Sequence, residues 1–235
     1  MLILAIDTSA TASAALVSGD GLSGDSLSGD GAAGSKVVGS FATEDTRSHA
    51  EVLAPGIQEL LASTGTRAAD IDAVVTGVGP GPFTGLRSGI ATARTLAFVW
   101  NKPLYGVVSL DAIALDVAES AHKVPEFLVV TDARRKEVYW ARYSMDDGGV
   151  PRLADGPHVG AAESLPALPA FGAGAGLYSD ALAAHPAFRD RQPDAASLGR
   201  RAVAALAAGL PLPDSTPLYL RESDAQVPGP RKRAL

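Results

Sequence analysis

An α/β fold is predicted for this chain, because segments with the pattern of strands alternate with segments with the pattern of helices. Short runs of branched apolar residues are typical of buried strands, and longer segments carry apolar residues at helical spacing. The chain has 235 residues, of which 46% are hydrophobic. That length can form the core of one large domain or of two lobes of roughly 100 residues each.

Three strands are predicted at the N-terminus. Residues 2–6 are branched and apolar, residues 12–17 follow after a polar turn, and residues 36–42 return as a third strand. Between the second and third strands, residues 18–35 consist mostly of Gly, Ser and Asp. Such a composition is typical of flexible loops, so this segment is predicted to be an insertion in a hairpin.

The first helix is predicted to begin at Ser48. Ser48 and Glu51 have the spacing of a capping box, and apolar residues recur at helical spacing after them. Gly65 is expected to end the helix, and Pro55 within it is expected to produce a kink.

The second helix, predicted at 84–99 after a strand at 72–78, has almost no charged face. Its only charged residues are Arg87 and Arg94. A surface helix normally carries a polar face opposite its apolar one, and a small lobe can hardly bury a helix on every side. We therefore expect this helix to be covered by a partner, and the first helix, which is also poor in charge, to lie beside it.

The predicted partner interface consists of small or apolar residues on these two helices. They are Ala50, Leu53, Ala54, Ile57, Leu61, Gly85, Ser88, Gly89, Ala91, Thr92 and Thr95.

The chain is predicted to divide into two lobes after Pro103, because residues 101–103 break the preceding helix. An N-terminal lobe would comprise residues 1–103, and a C-terminal lobe with its tail would comprise residues 104–235. In the second lobe we predict strands at 104–108, 126–131 and 137–143, and helices at 110–121, 178–184 and 195–209.

The first strand ends in Asp7, Thr8 and Ser9, which have two interpretations. A carboxylate and two hydroxyls at the end of a buried strand suit a phosphate that is bridged by a metal ion. The same residues also suit a turn that is closed by an Asx-type hydrogen bond. The residues alone favour neither interpretation over the other.

Two glycine-rich segments could resemble nucleotide-binding loops. Residues 77–85 lack the Lys of a Walker loop, and Pro80 and Pro82 remove N–H groups that a phosphate would use. A rigid turn between strand and helix is therefore favoured there. For residues 171–177 a flexible turn is favoured over close approach of a nucleotide ring.

Composition argues against several classes of function. The formal net charge is −6, with 20 basic and 26 acidic residues, whereas proteins that bind nucleic acid directly usually carry a basic excess. The basic residues at 231–233 are interpreted as a solvated terminus. The chain has no cysteine, and its four histidines, at positions 49, 122, 158 and 185, do not form a metal-binding pair, so no metal site is predicted.

We also expect a cytoplasmic protein. The N-terminal apolar run is too short for a signal peptide and lacks a preceding basic region. No segment approaches the length of about 20 apolar residues that a membrane helix needs.

Taken in order, several segments resemble the TsaB (YeaZ) family along nearly the whole chain. The segment Gly-Pro-Gly-Pro-Phe-Thr-Gly-Leu-Arg at 79–87 is the most specific of them. The other segments are Ile-Leu-Ala-Ile-Asp-Thr-Ser at 3–9, residues 48–55, Asp-Ala-Arg at 132–134, Glu-Val-Tyr-Trp-Ala at 137–141 and Pro-Leu-Tyr-Leu-Arg at 217–221.

The resemblance implies two tandem lobes of the actin-like ATPase superfamily, which has the ASKHA, RNase H-like fold. It further implies that the two N-terminal helices dock onto a related catalytic subunit, TsaD, which transfers threonylcarbamoyl to the N6 atom of a tRNA adenosine next to the anticodon. A third subunit, the ATPase TsaE, is expected to join this pair. Transfer RNA would then be reached only through the complex, and the chain alone could form a homodimer through the same helices.

The resemblance assigns this chain a scaffold role without catalysis and without a cofactor. The absence of a histidine pair agrees with that role, because TsaD-like relatives carry their metal-binding histidines on the corresponding first helix. Thr8 stands where the superfamily's first phosphate motif has Gly, which argues against nucleotide binding in the usual cleft. The alternative is an ATP-dependent small-molecule kinase of the same superfamily, and a peptidase of the glycoprotease type is the least favoured function.

Overall fold

The structure is a computed structural model that describes residues 1–19, 34–43, 49–121 and 124–221, with only the backbone described at 49 and 50. Most of the predicted insertion, the capping serine at position 48 and the basic residues at 231–233 therefore lie outside the described residues.

The first half of the chain forms a mixed five-stranded sheet with the order β3-β2-β1-β4-β5. Strands β1, β2 and β3 are antiparallel neighbours, whereas β4 and β5 run parallel to β1. The strands are β1 (Leu2–Asp7), β2 (Ser13–Gly19), β3 (Ser35–Ala42), β4 (Ala73–Gly77) and β5 (Leu104–Val107).

The second half repeats this topology in a second sheet with the order β10-β9-β6-β7-β8. Here β6, β7 and β8 are antiparallel neighbours, while β9 and β10 run parallel to β6. The strands are β6 (Glu126–Asp132), β7 (Glu137–Met145), β8 (Pro151–Ala161), β9 (Pro169–Phe171) and β10 (Ala183–Ala184). The α/β class and the two tandem actin-like lobes are thereby confirmed.

Helices cover both sheets. The α-helices are α1 (His49–Thr64), α2 (Phe83–Trp100), α3 (Leu110–Glu119), α4 (Ala173–Leu177) and α5 (Ala195–Ala207), and short 3-10 helices lie at Ala68–Asp70, Ala162–Ser164 and Pro186–Phe188. Within the described part of the chain, no helix has the length and apolarity that crossing a membrane requires.

Alternate residues of β1 point to opposite faces of the first sheet, so each face has its own core. Leu4 and Ile6 pack with α1 and α2. Ile3 and Ala5 pack with α5 on the other side. Because both faces are covered, residues 2–6 of β1 are all apolar and show no polar alternation.

The helices α3 and α5 cross between the lobes. Helix α3 follows the first sheet in sequence but packs on the second, where Ile113 and Val117 meet Phe127 and Phe171. Helix α5 follows the second sheet but packs on β1 and β2 of the first. Each lobe therefore completes its core with a helix that belongs, by sequence, to the other lobe.

Ion pairs join these two helices and the loop before α5. The Asp116 carboxylate, on α3, accepts hydrogen bonds from Arg191 Nε at 2.5 Å and Ser197 Oγ at 2.6 Å. Arg201 lies 3.7 Å from Asp111. Burial raises the pKa of the Asp116 carboxyl, against the opposing effect of Arg191, so the hydrogen bonds compensate only part of the loss of hydration.

Most predicted elements are present, but some differ. The predicted helix at 178–184 is wrong, because α4 ends at Leu177 and residues 183–184 form β10, which pairs with β9. The Ala- and Leu-rich composition of that segment favours a helix, but pairing with the sheet overrides this weak preference. Strands β8 and β9 were not predicted.

Strand β5 lies beyond the predicted boundary between the lobes. Residues 104–107 pair with β4, so the first sheet continues four residues past the predicted lobe boundary at Pro103. The chain enters the second sheet only at Glu126.

The variant Asp116→Ala is expected to lower the free energy of unfolding by about 1–3 kcal/mol, because Arg191 and the Ser197 hydroxyl lose a largely buried acceptor. Urea unfolding measures this change. The matched variant Asp147→Ala, which removes an exposed carboxylate, should leave stability nearly unchanged. Equal effects of the two substitutions would contradict a role for these ion pairs in holding the crossing helices.

Candidate functional site

The turn after β1 is buried and hydrogen-bonded within the chain. Asp7, Thr8 and Ser9 are 0%, 2% and 6% exposed, so the structure brings the three predicted phosphate-binding residues together but covers them. Asp7 Oδ1 accepts hydrogen bonds from Ser9 N at 2.8 Å and Ser9 Oγ at 2.6 Å. Asp7 Oδ2 accepts one from Ser109 Oγ at 2.6 Å. The geometry is that of the Asx-type turn, the second of the two interpretations.

Burial raises the pKa of the Asp7 carboxyl, and the hydrogen bonds from Ser109 and Ser9 oppose this rise. The carboxylate is also crowded by β4, because a Cβ at Gly77 would lie 1.8 Å from Asp7 Oδ2. This crowding explains why a glycine is needed at Gly77, and it leaves little space beside that oxygen.

The segment 77–82 forms the turn from β4 into α2, as the sequence favoured. A Cβ at Gly81 would lie 2.6 Å from the carbonyl oxygen of Ser9, so this glycine permits the close approach of the two loops. Gly79 has a φ of 94°, which L side chains rarely adopt. The glycines serve packing and backbone geometry here.

Helix α2 approaches the Asp7 turn through a glycine face. Thr8 Oγ1 donates a hydrogen bond to the carbonyl oxygen of Gly85 at 2.7 Å. A Cβ at Gly89 would lie 2.2 Å from Thr8 Oγ1. Gly85 and Gly89 are both buried, so they face the body of their own lobe.

The opposite side of α2 is exposed and largely without charge. We call Ala91, Thr95, Phe98 and Val99 the α2 ridge, because they lie along one line of the helix at successive spacings of four, three and one residues. All four are exposed. Phe98 exposes 87% and Val99 68% of its surface, which is unusual for large apolar side chains next to each other.

The two arginines of α2 lie at the edge of this ridge and contact the C-terminal segment. Arg94 Nε donates a hydrogen bond to Ser215 Oγ at 2.9 Å. Arg87 Nε donates one to Tyr219 Oη at 2.9 Å, and its guanidinium lies over the rings of Phe83 and Tyr219. These contacts hold the charges of α2 to one side, and the ridge stays apolar.

Helix α1 lies beside α2 on the same face of the first sheet. Its Leu53 and Ile57 enter the core that α2 shares. Ala54, Gln58 and Ala62 are exposed at intervals of four residues. The exposed sides of the two helices thus form one candidate interface, whose most apolar part is the α2 ridge.

The predicted interface residues divide according to burial. Leu53, Ile57, Gly85 and Gly89 are buried in their own lobe, so their assignment to a partner surface is corrected. The first two fill the core, Gly89 makes room for Thr8, and the Gly85 carbonyl oxygen accepts the Thr8 hydrogen bond. Ala54, Ala91 and Thr95 are exposed, and Leu61, Ser88 and Thr92 are half-buried. Ala50 lies outside the residues whose side chains are described.

Sequence reasoning missed Phe98 and Val99. A signal was available, because Phe98 lies seven residues and Val99 eight residues after Ala91, which is the spacing of one helical face.

The described residues contain no metal-binding cluster. Within residues 1–19, 34–43, 49–121 and 124–221, no three His, Cys, Asp or Glu side chains are grouped so that they could hold a metal ion.

Comparison with known proteins identifies one matching family model and several relatives. A family model described as TsaD, tRNA N6-adenosine threonylcarbamoyltransferase, matches residues 36–168. An uncharacterized protein of Mycobacterium tuberculosis is 43% identical over 190 residues, which cover 80% of this chain and 82% of the relative. The tRNA threonylcarbamoyladenosine biosynthesis protein TsaB of Escherichia coli is 35% identical over 150 residues, which cover 64% of this chain and 58% of that protein.

Solved structures agree with these relatives. YeaZ from Pseudomonas aeruginosa superposes with a TM-score of 0.71 at 28% identity, covering 93% of this chain and 99% of the other. A crystal structure from the same organism, of a protein similar to the peptidase YeaZ, gives a TM-score of 0.74 over 94% of this chain and 99% of the other, also at 28% identity.

The variant Gly89→Ala is expected to lower the free energy of unfolding by about 1–3 kcal/mol, because the added methyl group would overlap Thr8 Oγ1. The control is the double variant Gly89→Ala/Thr8→Ala, in which the overlap is relieved. Its loss of stability should be smaller than the sum of the two single losses by about 0.5 kcal/mol or more. Strictly additive losses in chemical denaturation would argue against this contact.

The pKa of Asp7 predicts a pH dependence of stability. Burial raises the folded-state pKa above the ordinary value of 3.8, so the folded protein holds the proton more tightly than the unfolded chain. The stabilisation is full below 3.8 and is lost as pH rises through the folded-state pKa. Wild type should therefore gain stability relative to Asp7→Asn as pH falls from about 7 to about 4.

The control for this titration is Asp155→Asn. A hydrogen bond from His158 lowers the pKa of the exposed Asp155 carboxyl below 3.8, so its titration should not raise the stability of wild type over this variant between pH 7 and 4 and should lower it only at more acidic pH. Urea unfolding at several pH values measures both differences. A constant difference between wild type and Asp7→Asn would rule out titration of the buried carboxyl.

Proposed function

The chain belongs to the TsaB (YeaZ) family, and we propose that it acts in tRNA threonylcarbamoyladenosine biosynthesis as a non-catalytic scaffold that binds a TsaD-like catalytic subunit through α1 and α2. The observation that carries this proposal is the α2 ridge, whose large apolar side chains face water in the isolated chain.

The energetics of the ridge favour a partner. Fully burying a Phe or Val side chain is worth roughly 1.5–3 kcal/mol relative to leaving it in water. Phe98 and Val99 are adjacent and both largely exposed, so covering them together would supply part of the free energy of association. Because Arg87 and Arg94 are held by the C-terminal segment, a partner would not have to bury an unpaired charge on the ridge.

The choice of partner follows from the duplicated family fold. The matching family model is described as a transferase, and its match includes α1 and α2. Two related proteins that both carry these helices could pair them about a pseudo-twofold axis and form a four-helix bundle. In the isolated chain the same surface would permit a homodimer, which a catalytic subunit with higher affinity would displace.

The geometry of the Asp7 turn supports a scaffold role over the kinase alternative. Both carboxylate oxygens of Asp7 accept hydrogen bonds from the chain's own groups, and all three residues of the turn are buried. A metal-bridged phosphate would have to displace these bonds and open the turn. Within the proposed complex, a TsaE-like ATPase would be the subunit that uses ATP, and tRNA would be bound by the assembly.

The variants Ala91→Glu and Phe98→Glu are each expected to abolish association with the TsaD-like subunit, since each places a charge in the centre of a surface that must lose its water. Pull-down and size-exclusion chromatography of the mixed subunits measure association, and formation of threonylcarbamoyladenosine in the mixture should fall with it. Both positions are exposed, so the melting temperature should stay near that of wild type.

The control is Leu153→Glu, which introduces the same charge at an apolar residue that is 44% exposed on β8 of the other sheet. This variant should associate as wild type does. Association that survives both substitutions on the ridge would exclude α2 as the interface. Gly89 is unsuitable for this test, because a side chain there would collide with Thr8 and disturb folding.

A further inference from the structure

Both arginines of α2 are held in fixed positions by acceptors that carry no charge. Arg87 Nε donates to the hydroxyl of Tyr219 at 2.9 Å, and its guanidinium lies over the rings of Phe83 and Tyr219. Arg94 donates from Nε to Ser215 Oγ and from Nη2 to the Ser215 carbonyl oxygen, each at 2.9 Å. These contacts fix the two guanidinium groups but leave their positive charges uncompensated.

Other arginines of the chain are paired with carboxylates. Arg191 pairs with Asp116, and Arg221 pairs with Glu137. Within the part of the chain that the structure describes, no carboxylate lies close enough to either arginine of α2 to form an ion pair. The charges of α2 are therefore available to a partner.

The two arginines lie along one edge of the α2 ridge. Arg87 and Arg94 are seven residues apart, which corresponds to two helical turns and about 10 Å along the axis. Ala91 and Phe98 each follow one of these arginines by four residues, so each cation is a neighbour of a ridge residue on the helix surface. All four residues are exposed. A partner that covers the ridge must therefore bring its own groups next to both guanidinium groups.

The carboxylates on this side of the molecule are distributed unevenly. Glu51 and Glu59 are exposed on α1, so the two helices carry opposite charges. Asp214 is the acidic residue next to Ser215 in the C-terminal segment, and it is exposed. Hydrogen bonds from Thr216, and to a smaller extent the charge of Arg94, lower the pKa of the Asp214 carboxyl. At that longer distance water screens the attraction, and Arg94 keeps most of its effect on a partner.

We propose that Arg87 and Arg94 form ion pairs with carboxylates at the rim of the TsaD-like subunit that covers the ridge, a contact that rests on the proposed function. Complementary charges at a rim raise the rate of association and fix the orientation of the partners, but they add little affinity because water stays beside them. Glu51 and Glu59 repel the same carboxylates, so the acidic edge of the partner lies over α2 and away from α1. The apolar ridge supplies affinity, and the two arginines select the partner's orientation.

The neutral acceptors suit this role. An arginine side chain loses conformational freedom when it pairs across an interface, and the hydrogen bonds to Ser215 and Tyr219 have already restricted these two side chains. A carboxylate in the same place would restrict them equally but would cancel the charge that attracts a partner. The apolar ridge beside the cations favours an acidic protein surface over nucleic acid, whose phosphates would lie against Phe98.

The test measures association of the full chain with its TsaD-like subunit, without tRNA, at salt concentrations from about 0.05 to about 0.5 M. The double variant Arg87→Gln/Arg94→Gln removes both charges and keeps an N–H donor at each position. Its association rate should be about fivefold lower than that of wild type at the lowest salt concentration, and the difference should disappear at the highest. The dissociation rate should change by less than about twofold, because the ridge is intact.

The control is Lys36→Gln/Lys136→Gln, which removes two exposed positive charges on β3 and in the turn before β7, away from α2. Its association rate should stay within about twofold of wild type at every salt concentration. Equal rates for the two double variants would overturn the proposal. A lower melting temperature of the arginine variant, together with the salt dependence of wild type, would also overturn it, because the arginines would then only anchor the C-terminal segment.

Chemical crosslinking identifies the groups that the arginines meet. The variant Arg94→Lys introduces an amine, which a carbodiimide joins through an amide bond to a carboxylate in direct contact. Mass spectrometry of the digested complex locates the bond. A bond to an Asp or Glu of the catalytic subunit is expected, whereas a bond to Asp214 alone would contradict an ion pair between the subunits.

The same measurements separate this inference from the proposed function. If wild type associates with the catalytic subunit and the arginine variant matches it at every salt concentration, the ion pairs are wrong and the scaffold role stands. If wild type does not associate at any salt concentration, the scaffold role fails and the ion pairs fail with it. An arginine variant that associates as wild type does but binds labelled tRNA more weakly in the complex would assign the two cations to RNA and overturn the proposal.

Discussion

Thr8 packs against α2 where Gly89 leaves room for it and donates a hydrogen bond to the Gly85 carbonyl oxygen, and this contact fixes the rotation of the helix about its axis. A larger residue at Gly89 would overlap Thr8 and push the helix away from the Asp7 turn. Because the glycine face must lie inward, the residues on the opposite side of the helix must meet water, whatever their polarity. Phe98, nine residues after Gly89, lies on that side, and the exposed Val99 is next to it. The proposed interface is therefore a consequence of packing inside the lobe.

The helices α3 and α5, which cross between the lobes, stabilise the lobe that carries α1 and α2. Each helix completes the core of the lobe that does not precede it in sequence. The Asp116 carboxylate on α3 accepts a hydrogen bond from Ser197 on α5 and pairs with Arg191 in the loop before α5. Opening the lobes would expose apolar surface on both sheets at once, so the first lobe presents α1 and α2 as part of one rigid unit.

The sequence could predict the elements with strong local patterns. The apolar run at 2–6 and the helical spacing in α2 and α5 are local, and all three elements are present. Strand β9 begins with a proline and β10 has only two residues. Their pairing depends on residues far away in the sequence, so a local pattern cannot predict it. The face that each small residue occupies also depends on tertiary contact. Gly89 and Ala91 look alike in sequence, yet one touches Thr8 and the other faces water.

The two lobes have the same topology, so the turns at equivalent strand ends can be compared. Asp7 ends β1 opposite Ser13, and Asp132 ends β6 opposite Val138, so the two carboxylates occupy equivalent places in their sheets. Asp7 accepts hydrogen bonds from Ser9 and Ser109 and is fully buried. Asp132 instead holds an arginine at the base of an exposed, left-handed turn. The same topology thus buries the turn after β1, where Thr8 packs against α2, and exposes the turn after β6.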